Sequence, residues 1–282
     1  GEEKLTVAVA DNAVYDLWGN ISVKTEAKTT VTLAKSKMLS KGIFEFDYDY
    51  GRMSSVAQLS DSKYVVAYEG PDHHGYIMTY SVADDGTIKE IRKFEHDIGW
   101  GQWNSLLKAD EDTYILAYGT SGNDGMIKTF DIPADGSSIT EIKSLEHDGS
   151  NGTYNSLVRV DHDTYLLAYR GPTNYGYLST FTVDADGDPI TEVASIQFTG
   201  NSTMAWPSLV QLNESTYAIA YYGYDSGTDH NGTAITNQSG QWIATFRVPP
   251  DGSSITKLGT FRHDYYALDS PYNALVKVDE NT

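Results

Sequence analysis

The sequence predicts an all-β protein: a five-bladed β-propeller of four-stranded antiparallel blades, its ring closed by pairing of the N- and C-terminal strands. Three observations predict it. Asn155 to Thr199 holds four short apolar runs, SLVRV, TYLLAY, YLSTFTV and ITEVASIQF, separated by HD, GPTNYG and ADGD. Runs this short, rich in β-branched and aromatic residues and bounded by Gly, Asp and Pro, read as strands of a meander. The same unit recurs as SSVAQLSDSKYVVAYEG from Ser54, NSLLKADEDTYILAYG from Asn104 and PSLVQLNESTYAIAYYG from Pro207. Finally, the end of the fourth run sets a period. His96-Asp97, His147-Asp148 and His263-Asp264 align there with Phe198-Thr199 and Tyr48-Asp49, in steps of 48 (48 to 96), 51, 51 and 65 residues. A four-stranded unit at such a period is the signature of a propeller blade.

The elements follow in order. Blades are expected at 54–97, 104–148, 155–199 and 207–264 of a single domain, 1–282. The fifth is split between the chain ends. Asn273 to Thr282 reads as a first strand, and Lys4–Asp11, Thr30–Ala34 and Ile43–Asp47 supply the other three. Both faces of a blade are covered by its neighbours, so TYLLAY is nearly all apolar rather than alternating. Ala67, Ala117, Ala168 and Ala220 share one position, which marks a close blade-to-blade contact. Tight hairpins are expected on one face at Ala83–Gly86, Ala134–Gly136, Asp184–Gly187 and Pro249–Gly252, where glycine supplies the positive φ. Asp184-Ala-Asp-Gly-Asp188 is read as such a hairpin, since the downstream glutamate of a calcium loop is absent.

Composition narrows the function. A net charge of −19 argues against nucleic acid and against anionic membranes, both of which repel it. No apolar run reaches the roughly 18 residues of a membrane span. With no cysteine, thiol catalysis and thiolate metal sites are excluded together. Asn20, Asn151, Asn201, Asn213, Asn231 and Asn237 each open an Asn-x-Ser/Thr triplet, which points to a glycosylated, extracellular or cell-surface protein.

The candidate site lies on the face of variable loops. Trp100 and Trp103 fall in IGWGQW, Tyr154 in GSNGTY, Trp206 in GNSTMAW and Tyr266 in YYALDSPY. The loops between second and third strands add His73, His74, Tyr175 and Tyr224. Aromatic faces beside Asn, Asp and Gly suit sugar binding, whereas aromatics just before a strand also suit closure of the propeller face. The repeated His-Asp pair fits a structural pin better than catalysis, because a catalytic centre needs one asymmetric constellation and the pair recurs in three blades. The inner-strand starts, Ser54, Asn104, Asn155, Pro207 and Asn273, carry no acid for a glycosidase.

In repeat plan the chain resembles the tachylectin-2-like lectin propellers, in which each near-identical repeat forms one blade with an equivalent sugar site. The motif (N/S)SL(V/L)xxDxDTYLLAY also resembles prokaryotic surface-protein propellers. The expected function is a non-catalytic extracellular binding propeller recognising carbohydrate, with a glycan or cell-surface partner and neither metal nor cofactor. The alternatives are a self-assembling subunit of a surface layer or filament, its contact arms at 12–29 and 222–241, and a glycoside hydrolase.

Overall fold

The computed structural model describes residues 45–47, 50–200, 203–229, 231–264 and 272–277. They contain sixteen strands in four antiparallel meanders. The first sheet is β1 (Arg52–Ser60), β2 (Lys63–Glu69), β3 (Gly75–Val82) and β4 (Ile88–Asp97). The second is β5 (Gln102–Lys108), β6 (Thr113–Gly119), β7 (Gly125–Asp131) and β8 (Thr140–Asp148). The third is β9 (Thr153–Arg159), β10 (Thr164–Arg170), β11 (Gly176–Val183) and β12 (Ile190–Gln197). The fourth is β13 (Ala205–Asn213), β14 (Thr216–Thr228), β15 (Ala234–Arg247) and β16 (Thr256–Asp264). The all-β class and the four-stranded meander are as expected. The strands proposed to complete a fifth blade from 4–47 lie outside the described residues, except Glu45–Asp47. Among the described residues no helix is long and apolar enough to cross a membrane.

Apolar cores fill the spaces between successive sheets. Val65 and Ala67 of β2 pack with Tyr114, Leu116 and Phe130 of the second sheet. Ile115 and Ala117 pack with Tyr165, Leu167 and Phe181, and Leu166 and Ala168 with Ile219, Tyr221 and Trp242. The second strand is therefore buried from both sides, and β6 has no half-exposed position.

Polar bonds repeat between sheets in the same places. The backbone N–H of Leu106, Leu157 and Leu209 donates to Ser55, Ser105 and Ser156 of the preceding inner strand, at 2.9, 2.9 and 3.1 Å. Leu275 makes the same bond to Ser208 at 2.8 Å, which sets 272–277 beside β13 as each inner strand sits beside the last. Third-strand threonines reach across to hairpin glycines: Thr79 to the Gly136 carbonyl, Thr129 to Gly187 and Thr180 to Gly252, at 2.7 to 2.8 Å. Gly136 and Gly187 hold φ of 69° and 87° there, which a side chain would resist.

Two sequence expectations shift. Phe46 packs as His96 does: its ring meets Tyr68 edge-on at 4.9 Å, as His96 meets Tyr118 at 4.7 Å, while Tyr48, the expected equivalent, lies outside the described residues. Asp47 accepts the Tyr50 N–H as Asp97 accepts that of Gly99. The 222–241 insertion is not a loop. It extends β14 and β15 into one hairpin, with Tyr224 opposite Ser239 and Thr228 opposite Ala234.

Candidate active site

The inner strands all begin with the same distortion. Met53, Trp103, Tyr154 and Trp206 hold φ of 52°, 52°, 54° and 48°, and the register of each strand pair slips there. A left-handed residue at a bulge is costly for a bulky side chain, and four equivalent copies mean that the surrounding structure enforces it. The bulges turn these side chains onto a shared cavity of about 430 Å³. Trp103 meets Tyr154 at 5.1 Å between ring centroids, Tyr154 meets Trp206 at 5.0 Å, and Trp206 meets Tyr272 at 5.2 Å. Asn104, Asn155 and Asn273 follow the aromatic residues; the Asn104 amide fastens to the Gly101 and Met53 carbonyls and that of Asn273 to the Trp206 carbonyl.

The first sheet breaks this symmetry. Met53 stands where the others carry a ring, and Arg52 lines the cavity beside it. Behind Arg52, at the end of β2, lies Glu69, fully buried. The equivalent positions hold Gly119, Arg170 and Tyr222, so among the four described sheets only this one places a carboxylate here. Glu69 Oε1 accepts the Gln102 amide at 2.9 Å and the Arg52 guanidinium at 3.3 Å; it also lies 2.5 Å from His73 Nδ1. Arg52 Nε is 3.3 Å from Oε2. Burying an ionised carboxylate is costly unless it is paired, and these three partners meet that need.

His73 sits in the turn Pro71–His73 with φ of 69°. Asn123 and Asn174 occupy the equivalent position at φ of 65°, and all three carbonyls accept a backbone N–H from the next connection: Gly101, Gly152 and Met204. Asparagine satisfies this backbone in two sheets, so the imidazole of His73 adds chemistry rather than conformation. Its ring contacts Tyr50 edge-on at 4.7 Å and Trp100 at 5.6 Å, with the side chain about one-third exposed. In the tautomer that donates Nδ1–H to Glu69, Nε2 is the accepting nitrogen, an arrangement suited to a base oriented by a buried carboxylate.

The remaining expected residues are dispersed. His74 turns away to Glu95 and stacks on Tyr76. Tyr175 and Tyr224 are half-buried, in the third and fourth sheets, and Tyr266 lies outside the described residues. Of the sequon asparagines, Asn213, Asn231 and Asn237 are exposed, while Asn20 and Asn201 lie outside the described residues. Asn151 bonds the side chains of Asn174 and Thr153. Arg52, Glu69 and Gln102 were missed by sequence reasoning. The available signal was Arg52 where the other repeats carry Gln102, Thr153 and Ala205, and Glu69 where they carry Gly119, Arg170 and Tyr222.

Two histidines with enclosed rings play no part in this site. His96 and His147 are enclosed, their ring nitrogens without hydrogen-bond partners, over Gly75 and Gly125. Burial lowers their pKa to about 3 and about 4.

No protein-family model matches the chain, and no curated protein does. The lectin-propeller resemblance therefore rests on repeat plan alone. Solved structures do resemble it. A hypothetical selenium-binding protein from Sulfolobus tokodaii has a TM-score of 0.52 at 7% identity, over 75% of this chain and 55% of that one. An exo-β-1,3-galactanase by name, from Bifidobacterium bifidum, gives 0.48 at 12%, over 74% and 70%. A protein from Bacteroides fragilis named as a 6-phosphogluconolactonase gives 0.45 at 14%, over 75% and 71%. At such identities the likeness is one of fold. The expectation of a non-catalytic carbohydrate-binding propeller is corrected at the site itself: among the described sheets the first alone sets a histidine, a buried carboxylate and an arginine together, an asymmetric constellation that the repeated His-Asp pair does not make. Nothing among the described residues supports a glycan partner or self-association.

Proposed function

We propose that the chain is a hydrolase, with His73 as general base, Glu69 as its orienting carboxylate and Arg52 as the cation facing the reacting group. The carrying observation is the contact between His73 Nδ1 and the fully buried Glu69, behind the one wall of the cavity that lacks an aromatic ring. The chemistry selects the bond. Glycoside hydrolysis ordinarily needs two carboxylates about the scissile bond, and no carboxylate lines the cavity among the described residues. Ester or lactone hydrolysis needs a base to take a proton from water and a positive group for the developing oxyanion, and His73 and Arg52 are of these types.

The test is turnover of δ-gluconolactone and aryl acetates by the purified chain, with aryl glycosides in parallel. His73→Ala is expected to lower kcat about 10²–10⁴-fold. Ester hydrolysis untouched by that change, or turnover confined to glycosides, would refute the assignment.

The five-bladed closure belongs with this reading, supported by the Ser208–Leu275 bond and by the packing of Phe46 on Tyr68. An extracellular location is supported by the exposed sequons and tested by mass spectrometry for glycans at Asn213, Asn231 and Asn237.

A further inference from the structure

We infer that the cavity takes a small ligand with a flat, ring-shaped apolar body and an anionic end, the body on the aromatic wall and the anion at Arg52. The inference rests on the same site as the hydrolase reading and names the class of molecule it accepts. Trp103, Tyr154, Trp206 and Tyr272 form an unbroken chain of rings around the cavity, each 5.0 to 5.2 Å from the next. At the equivalent position of the first sheet, Met53 leaves a gap in that wall. Beside the gap is Arg52, the one charged residue lining the cavity among the described residues.

Arg52 is held rather than loose. Its Nε and Nη2 lie 3.3 Å from the two oxygens of Glu69, and its guanidinium carbon lies 4.2 Å above the Tyr50 ring. At least three of its five N–H groups remain for a ligand, and its side chain is 48% exposed. A planar fork fixed in this way matches a carboxylate or phosphate oxygen pair. The rest of the molecule is strongly acidic, with a net charge of −19, so an anion is repelled from most of the surface and finds a fixed cation at this cavity. The volume, about 430 Å³, is ordinary for a small-molecule site.

Trp103 and Trp206 are two of the five tryptophans of the chain, so binding is read by intrinsic fluorescence. The whole chain is titrated with benzoate, benzamide and benzylammonium. Saturable quenching by benzoate is expected, at least ten-fold weaker binding of benzamide, and no binding of benzylammonium. Arg52→Gln removes the preference for benzoate over benzamide, and Arg52→Lys, which keeps the charge without the planar fork, retains only part of it. Met53→Trp fills the gap and weakens benzoate binding at least ten-fold. Circular dichroism of each variant separates loss of the site from loss of the fold. Equal binding of benzoate and benzamide, or no quenching by either, overturns the inference. Because no turnover is measured, failure of the hydrolase reading leaves this result standing.

Discussion

At the residue scale, three histidines serve opposite ends. His73 is half-open, bonded to a buried carboxylate and framed by Tyr50 and Trp100. His96 and His147 are enclosed, each edge-on to a tyrosine, and Phe198 fills the equivalent place against Tyr221 at 5.2 Å. The histidine there acts as a flat apolar ring. The pin expected of the His-Asp pair is made by the aspartate, since Asp97 accepts the Gly99 N–H and the Tyr118 hydroxyl. Burial keeps both histidines neutral in the folded protein down to about pH 4 or 3, while the unfolded chain takes up a proton near 6.5. The unfolded state thus binds more protons between those values, and stability falls as pH drops through that window, by up to about 1.4 kcal/mol per unit for each histidine. His147→Phe copies the third sheet and removes one of these groups. Urea denaturation is expected to show it more stable than the parent at pH 5 and little changed at pH 8. A constant difference between the two pH values would show that His147 does not titrate on unfolding.

At the scale of elements, the sheets are joined by side chains that the repeat keeps in register. The third strands of the first three sheets each offer a threonine to a turn carbonyl of the next sheet, with Thr129 and Gly187 2.8 Å apart in a buried setting. Thr129→Val keeps the volume and strands the Gly187 carbonyl, so a loss of about 1–3 kcal/mol is expected from the shift in urea midpoint. No loss would mean that water reaches that carbonyl. The bulged inner-strand starts are the element that makes a site possible. A regular strand would alternate its side chains between the two blade faces, whereas the left-handed residue swings one side chain per sheet onto the cavity, a ring in every sheet but the first. Aromatics just before a strand were legible in the sequence as either ligand platforms or a closing layer. Their mutual contacts make them the wall of the cavity.

At the scale of the whole molecule, the proposed closure is tested at the segment 272–277 that follows the fourth sheet. Ser208 makes the same bond as its equivalents: its oxygen accepts the Leu275 N–H at 2.8 Å, as Ser105 accepts that of Leu157 at 2.9 Å. If 272–277 is an integral inner strand, Ser208→Ala costs about as much as Ser105→Ala, on the order of 1 kcal/mol. A negligible cost for Ser208→Ala alone, measured by thermal melting, would count against closure through this segment. The sequence by itself determined the strands, the hairpin glycines, the blade-facing alanines and the repeat, because these follow from local alternation and from which residues tolerate a positive φ. Glu69 was visible only as a departure from Gly119, Arg170 and Tyr222, and His73 only as a loop histidine beside His74. Tertiary structure alone decided that they meet Arg52 and Gln102. Those four side chains come from β1, β2, a turn and the next sheet, and a carboxylate becomes a buried, oriented partner only when packing removes water from it and brings donors within 3.3 Å.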